Sequence, residues 1–191
     1  MFRERHPDED EPAVRWLPFQ LNPDLPAEGI PRKVYIERKF GPGGNTYARV
    51  TGVGKTVGID FAFDKITVQP NTVDAHRLML YGAEQGREDA VAESLFAAYF
   101  LEGANLTDPA ALAAVGVRAG LDRAELEAYL ASDQGRDVVL QWDREARQAG
   151  IDGVPFFIFN RTAGMSGAQE PETLLAAMED ALKAVSGESR S

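Results

Sequence analysis

The spacing of apolar and polar positions changes several times along this chain. Ala13 to Leu21 alternates, with Val14, Trp16 and Pro18 on one side and Arg15, Leu17 and Phe19 on the other. That pattern predicts a strand over 13–19. Asn22-Pro23-Asp24-Leu25-Pro26 ends it as a loop. From Pro31 the period turns helical, up to the break at Gly41-Pro42-Gly43-Gly44. A second helix is predicted over about 45–57, weakened by Gly52, Gly54 and Gly58. Asp60-Phe61-Ala62-Phe63 reads as an extended piece leading to Pro70.

Asn71 is a natural N-cap, with Asp74 three residues on. The helix it starts carries Ala75, Met79 and Ala83 as a stripe, flanked by Leu78 and Leu80, and ends near Gly86. Further helices are predicted over 88–101, from Asp108-Pro109 to Gly120, from Asp122 to Ala131, and over 134–149. The first of these shows a broad apolar face of Val91, Leu95, Phe96, Ala98, Tyr99 and Phe100. The last turns Val138, Val139, Trp142 and Ala146 inward. Then Gly150-Ile151-Asp152-Gly153-Val154 runs into Pro155 and four large apolar residues, Phe156 to Phe159. Asn160-Arg161-Thr162 and Ala163 to Ser166 follow, giving a strand, a tight turn and a second strand. A final helix covers Pro171 to Val185, with Leu174, Leu175, Met178, Leu182 and Val185 as its apolar positions. Pro155 has no amide hydrogen for a ladder, so it belongs at a strand's start or edge. Its bond to Val154 is of the type that takes either isomer.

The order is strand, long helical block, hairpin, helix. The predicted organisation is a sheet-bearing part, 1–30 and 150–186, interrupted by a helical insertion, 31–149, with a polar tail at 187–191. The strand and the hairpin are too small to stand alone and are expected to share one sheet.

Composition narrows the chemistry. The chain has 191 residues, 44% apolar, enough for one core with an inserted subdomain. Its net charge of −10 argues against nucleic-acid and anionic-membrane partners. No run is long and apolar enough to span a bilayer. The first eleven residues lack the apolar centre of a signal peptide, so a cytoplasmic location is expected. There is no cysteine. That excludes disulfides, thiolate metal sites and cysteine nucleophiles in this chain. The two histidines, His6 and His76, are far apart and neither sits at metal-ligand spacing. No metal or cofactor is called for.

Gly52-Val53-Gly54-Lys55-Thr56 ends like a phosphate-binding loop, but Arg49 stands where the motif needs its first glycine. Asn105-Leu106-Thr107 and Asn160-Arg161-Thr162 match a glycosylation pattern that has no secretory context. His76 falls in the first turns of its helix beside Asp74 and Arg77, where a packed or capping histidine is commoner than a catalyst. A serine hydrolase lacks a nucleophile elbow here.

Four stretches together resemble the DsbA family of thioredoxin-like proteins, and within it the cytoplasmic FrnE-like branch. They are Trp16-Leu17-Pro18-Phe19-Gln20-Leu21-Asn22-Pro23, Pro70-Asn71-Thr72-Val73-Asp74-Ala75-His76-Arg77, Gly153-Val154-Pro155-Phe156-Phe157 and Ser166-Gly167-Ala168-Gln169. The resemblance implies a thioredoxin-like α/β fold with a large helical insertion, and thiol–disulfide exchange as the family activity. It implies a cis Val154–Pro155 bond and a proline loop that binds a substrate chain as an added strand. The substrate-binding residues it implies are Val154, Pro155, Phe156, Ser166, Gly167 and His76.

Such a fold also needs a first strand and a Cys-x-x-Cys turn ahead of 13–19, and this sequence carries neither. The chain therefore reads as beginning inside the first helix, by a late recorded start or a truncated gene. It is expected to be inactive in thiol chemistry, with no catalytic residue to name. Its expected partner is a thiol- or disulfide-bearing protein or peptide. A homodimer is expected to cover an exposed edge.

Two other readings stay open. The kappa-class glutathione transferases and related isomerases share the architecture and bind glutathione at the same loops. Here Ala168 and Phe156 depart from their pattern. A non-catalytic peptide- or protein-binding module needs no nucleophile at all.

Overall fold

A computed structural model describes residues 1–41 and 47–186. The chain divides into two compact units. One joins Met1–Arg15 to the chain from Glu145 onward, and the other is Trp16–Arg144.

The larger unit is mostly helical. A two-residue ladder, β1 (Ile30–Pro31) against β2 (Val68–Gln69), runs antiparallel with Ile30 opposite Gln69. Between its strands lie α2 (Arg32–Phe40) and α3 (Ala48–Thr56). The first residues of the helix predicted over 45–57 fall outside the described residues. After β2 come α4 (Val73–Glu84), α5 (Glu88–Phe96), α6 (Pro109–Arg118) and α7 (Arg123–Ala131). The α5 helix widens into a π turn over Ala97–Leu101. The α8 helix (Arg136–Gln148) crosses the boundary into the smaller unit.

Local chemistry sets the helix starts. The side chain of Asp108 accepts from the Ala110 amide at 2.9 Å, with Pro109 in the first turn. Asp122 accepts from the Glu125 amide at 3.0 Å. Asn71, expected as the N-cap, lies one residue before that position, which is Thr72, and accepts from the Val73 amide at 3.0 Å while its own amide donates to the Leu25 carbonyl. Asp74 completes no capping box, because its carboxylate pairs with Arg77 at 2.9 Å.

The core of this unit is built on Leu78, Val91, Leu112 and Leu126, all essentially sealed from solvent. Each contributes about 1.5–3 kcal/mol on burial. Leu126 packs where Gly116 has no Cβ, with Leu78 and Leu121 beside it. The buried face of α4 is centred on Ala75, Leu78, Tyr81 and Gly82. The predicted stripe of Ala75, Met79 and Ala83 is therefore rotated, since Met79 and Ala83 are only half-buried.

Four further expectations are corrected. No strand forms over 13–19. A strand needs a neighbour to exchange hydrogen bonds, and carboxylates instead take one amide in this stretch and one just after it. Trp16 N donates to Glu88 Oε1 at 2.8 Å and Gln20 N donates to Asp143 Oδ1 at 2.7 Å. It follows that this stretch shares no sheet with the hairpin, whose sheet has two strands among the described residues. The extended piece at 60–63 ends in a 3-10 turn, Phe63–Lys65. On α8 the inward position is Val139, fully buried, whereas Val138 is 41% exposed.

The smaller unit contains α1 (Phe2–Arg5), the hairpin of β3 (Phe156–Phe159) and β4 (Ala163–Ser166), and α9 (Pro171–Ser186). The α9 helix buries Leu175 and Ala181 and packs against β3.

Candidate functional site

The α8 helix stops at a left-handed glycine, Gly150, with φ +83°. The amides of Gly150 and Ile151 fold back to the carbonyls of Arg147 and Ala146, at 3.0 Å each. The chain then leaves the helix as the loop Ile151–Pro155. The Val154–Pro155 bond is cis, and both residues are exposed.

Pro155 delivers the chain into β3. Phe156 pairs with Ser166 and Phe159 with Ala163. At the hairpin tip Asn160 and Arg161 have φ +47° and +61°, and the Thr162 amide donates to the Phe159 carbonyl at 3.0 Å. Two positive φ values at the centre of a tight turn are type I′ geometry, which matches strand twist. Asn160 Nδ2 also donates to the Ala181 carbonyl of α9 at 3.2 Å, tying the tip to the helix. At the other end, the Gly167 amide donates to the Pro155 carbonyl at 2.8 Å. Gln169 Nε2 donates to the Ser166 carbonyl at 2.8 Å and closes the turn. The Phe156 ring lies against Gly164, where a Cβ would come within 2.8 Å of it.

Val154, Pro155, Phe156, Ser166 and Gly167 are thus brought together at one end of the hairpin. No other strand among the described residues lies along β3. The outer edge of that strand offers backbone donors and acceptors to an extended chain. The site contains no thiol, since the chain contains no cysteine.

His76 belongs to the larger unit, on α4. Its ring is half-buried, but Nδ1 is sealed from solvent and has no hydrogen-bond partner among the described residues. Burial pushes its pKa down to about 4, against the opposing pull of the Asp143 carboxylate and the Thr72 carbonyl. It is a neutral imidazole at pH 7. Asp143, 4% exposed, also receives the Gln20 amide. Asp143 was not among the residues singled out from sequence. The signal was present: it lies four residues after Val139, a charge within the buried stripe of α8. Among the described residues no three His, Asp or Glu side chains gather as a metal site. None of the described helices is long and apolar enough to cross a membrane.

The fold and the proline hairpin point to one class, the thioredoxin-like proteins. The family model for the DSBA-like thioredoxin domain matches residues 3–179, so the chain belongs to that family. It is 25% identical over 175 residues to the uncharacterized protein YwbO of Bacillus subtilis, covering 89% of this chain and 82% of that protein. It also resembles the crystal structure of a probable DsbA oxidoreductase from Streptomyces coelicolor. That match has a TM-score of 0.78 at 28% identity, covering 91% of this chain and 75% of the other. These 191 residues contain no cysteine and so supply no thiol for the exchange reaction.

Proposed function

We propose that this chain binds an extended, thiol- or disulfide-bearing polypeptide at the proline loop without exchanging disulfides with it. The observation that carries this reading is the edge of β3, which is entered through exposed Val154 and Pro155 and has no neighbouring strand among the described residues. The Gly167-to-Pro155 hydrogen bond holds that entrance in place before any ligand arrives. Val154, Pro155 and Phe156 supply the docking backbone, and Ser166 and Gly167 its supporting turn. His76, expected from the resemblance to bind substrate, belongs to the larger unit and is left out of this docking edge. Within the family we assign the chain to the FrnE-like branch, on the segments Pro70 to Arg77 and Gly153 to Phe157. We take 31–149 as the insertion into a thioredoxin-like part at 1–30 and 150–186.

The glutathione reading has less support. The turn that would hold the γ-glutamyl end has already given its Gly167 amide to Pro155.

The test is peptide binding followed by calorimetry, using a reduced Cys-containing unfolded peptide and its Cys→Ser copy. Both should bind with the same affinity, and mass spectrometry should find no covalent adduct. Val154→Pro removes an amide donor at the docking edge and should abolish binding, with the far-ultraviolet spectrum unchanged. Unaltered affinity in that variant would contradict the proposal.

A further inference from the structure

Residues 31–57 carry a charge opposite to that of the rest of the chain. They contain Arg32, Lys33, Arg38, Lys39, Arg49 and Lys55 against one acid, Glu37. Six cations less one acid give +5, within a chain whose total is −10, so the remainder carries −15. Arg32 is structural: it is buried, bonded to Gln69 Oε1, and stacked over the rings of Tyr35 and Tyr47. The other five cations are exposed, and none forms an ion pair among the described residues. Lys39 donates to the Tyr35 hydroxyl at 2.9 Å, a neutral partner that leaves its charge uncompensated.

The same stretch shows an apolar face to solvent. Val50, Val53 and Val57 follow helical spacing along α3 and its C-terminal end, and are 45%, 59% and 67% exposed. Beside Val50, one turn on, Gly54 is buried against the Phe61 ring, which closes off one flank of the stripe. Phe40, exposed at the end of α2, meets Tyr47 edge-on at 6.5 Å.

An apolar stripe flanked by Arg49, within a segment of net charge +5, fits an acidic, apolar partner. We infer that α3 docks an acidic amphipathic polypeptide segment, with Val50, Val53 and Val57 as anchors, Arg49 beside them on the same helix, and the positive charge of the surrounding segment as the attraction. Charge decides between this and other occupants. Pairing the stripe with α3 of a second copy would bring two basic arms together. An anionic membrane is disfavoured by the net charge of −10 that the whole chain carries. A short acidic segment meets only the arm, because screening confines interactions to about 8–10 Å at ordinary salt. This site is independent of the proline loop, and its variants leave residues 154–167 untouched.

The test uses the full chain and three labelled peptides with one leucine face. Their opposite faces carry Glu, Gln or Lys. Anisotropy should show the Glu peptide binding at least about tenfold more tightly than the Lys peptide at low salt. That preference should fall away near about 0.5 M NaCl, where the screening length is only a few ångströms. The triple variant R38E/K39E/R49E should reverse the preference, and V53D should weaken all three peptides, with circular dichroism confirming that both variants fold. K183E on α9 should change nothing. Equal binding of the Glu and Lys peptides, or none, would overturn the inference. So would binding to anionic vesicles in preference to the Glu peptide, or light scattering that shows self-association abolished by V53D.

Discussion

The amide of Gly167 and the carbonyl of Pro155 meet at 2.8 Å, joining the loop before β3 to the turn after β4. Gly167 sits at φ +81°, where a side chain is strained. A Cβ there has room, its nearest neighbour being Gln169 Nε2 at 3.8 Å, so the cost of substitution is conformational. Gly167→Ala should lower stability by about 1–2 kcal/mol in urea titrations and speed amide exchange at residue 167. Unchanged exchange would mean that the bond does not hold the loop.

Crowding acts alone at Gly164. A Cβ there would press on the Phe156 ring, at 2.8 and 3.0 Å. Gly164→Ala should displace Phe156 and weaken peptide binding at the proline loop more than it lowers the unfolding midpoint. The reverse ranking, measured by calorimetry and urea, would remove Phe156 from the docking site.

Arg77 organises the end of α7 from within the core. It is 3% exposed and donates to the carbonyls of Tyr129, Ser132 and Gln134 at 2.8, 2.6 and 2.7 Å. The first two sit at the negative end of α7, where a cation is favoured, and Gln134 lies in the turn beyond it. Arg77→Met removes the guanidinium from all three, although Tyr129 keeps the Ser132 amide and hydroxyl, and should cost about 3–5 kcal/mol in urea unfolding. Arg77→Lys should recover little of it, since an ammonium cannot span three acceptors as the planar guanidinium does.

His76 makes stability fall on the acid side. Its folded pKa, about 4, lies below the unfolded value of 6.5. The unfolded chain therefore binds more protons between those values, and stability is lost as pH drops through them. The upper bound from the shift is about 3 kcal/mol, reduced by screening at the half-buried ring. His76→Gln should flatten the slope between pH 6.5 and 4 that the parent shows in urea midpoints. Identical slopes would place the titration elsewhere.

Glu179 of α9 accepts from His6 Nε2 at 3.1 Å and lies 3.6 Å from Arg5. The His6 hydrogen bond leads in holding its carboxyl below the usual value. Its contribution is therefore present above the unfolded pKa and disappears as pH falls through the folded one. Glu179→Gln should loosen α1 from α9 and raise amide exchange at residues 5 and 6, with little change in global unfolding.

What could be read beforehand depended on how local the cause was. Asn71, Asp108 and Asp122 act on amides two or three residues away, so the starts of α4, α6 and α7 were legible. The hairpin was legible because Asn160 and Arg161 stand between two apolar runs. The stretch 13–19 was not, because alternation becomes a strand only when another segment supplies a ladder. Glu88 and Asp143, far away in sequence, took the amides of Trp16 and Gln20 instead. The five residues of the proline loop and its turn stand together at one end of the hairpin. The hydrogen bond between Gly167 and Pro155 is a backbone contact that leaves no trace in residue types.

The most direct test of the account is a nitrogen-15 amide spectrum of the full chain, titrated with an unfolded peptide and with its Cys→Ser copy. The proposal predicts saturable shifts at Val154, Phe156 and Gly167, the same for both peptides. Shifts confined to α2 and α3, or none at the proline loop, would contradict it.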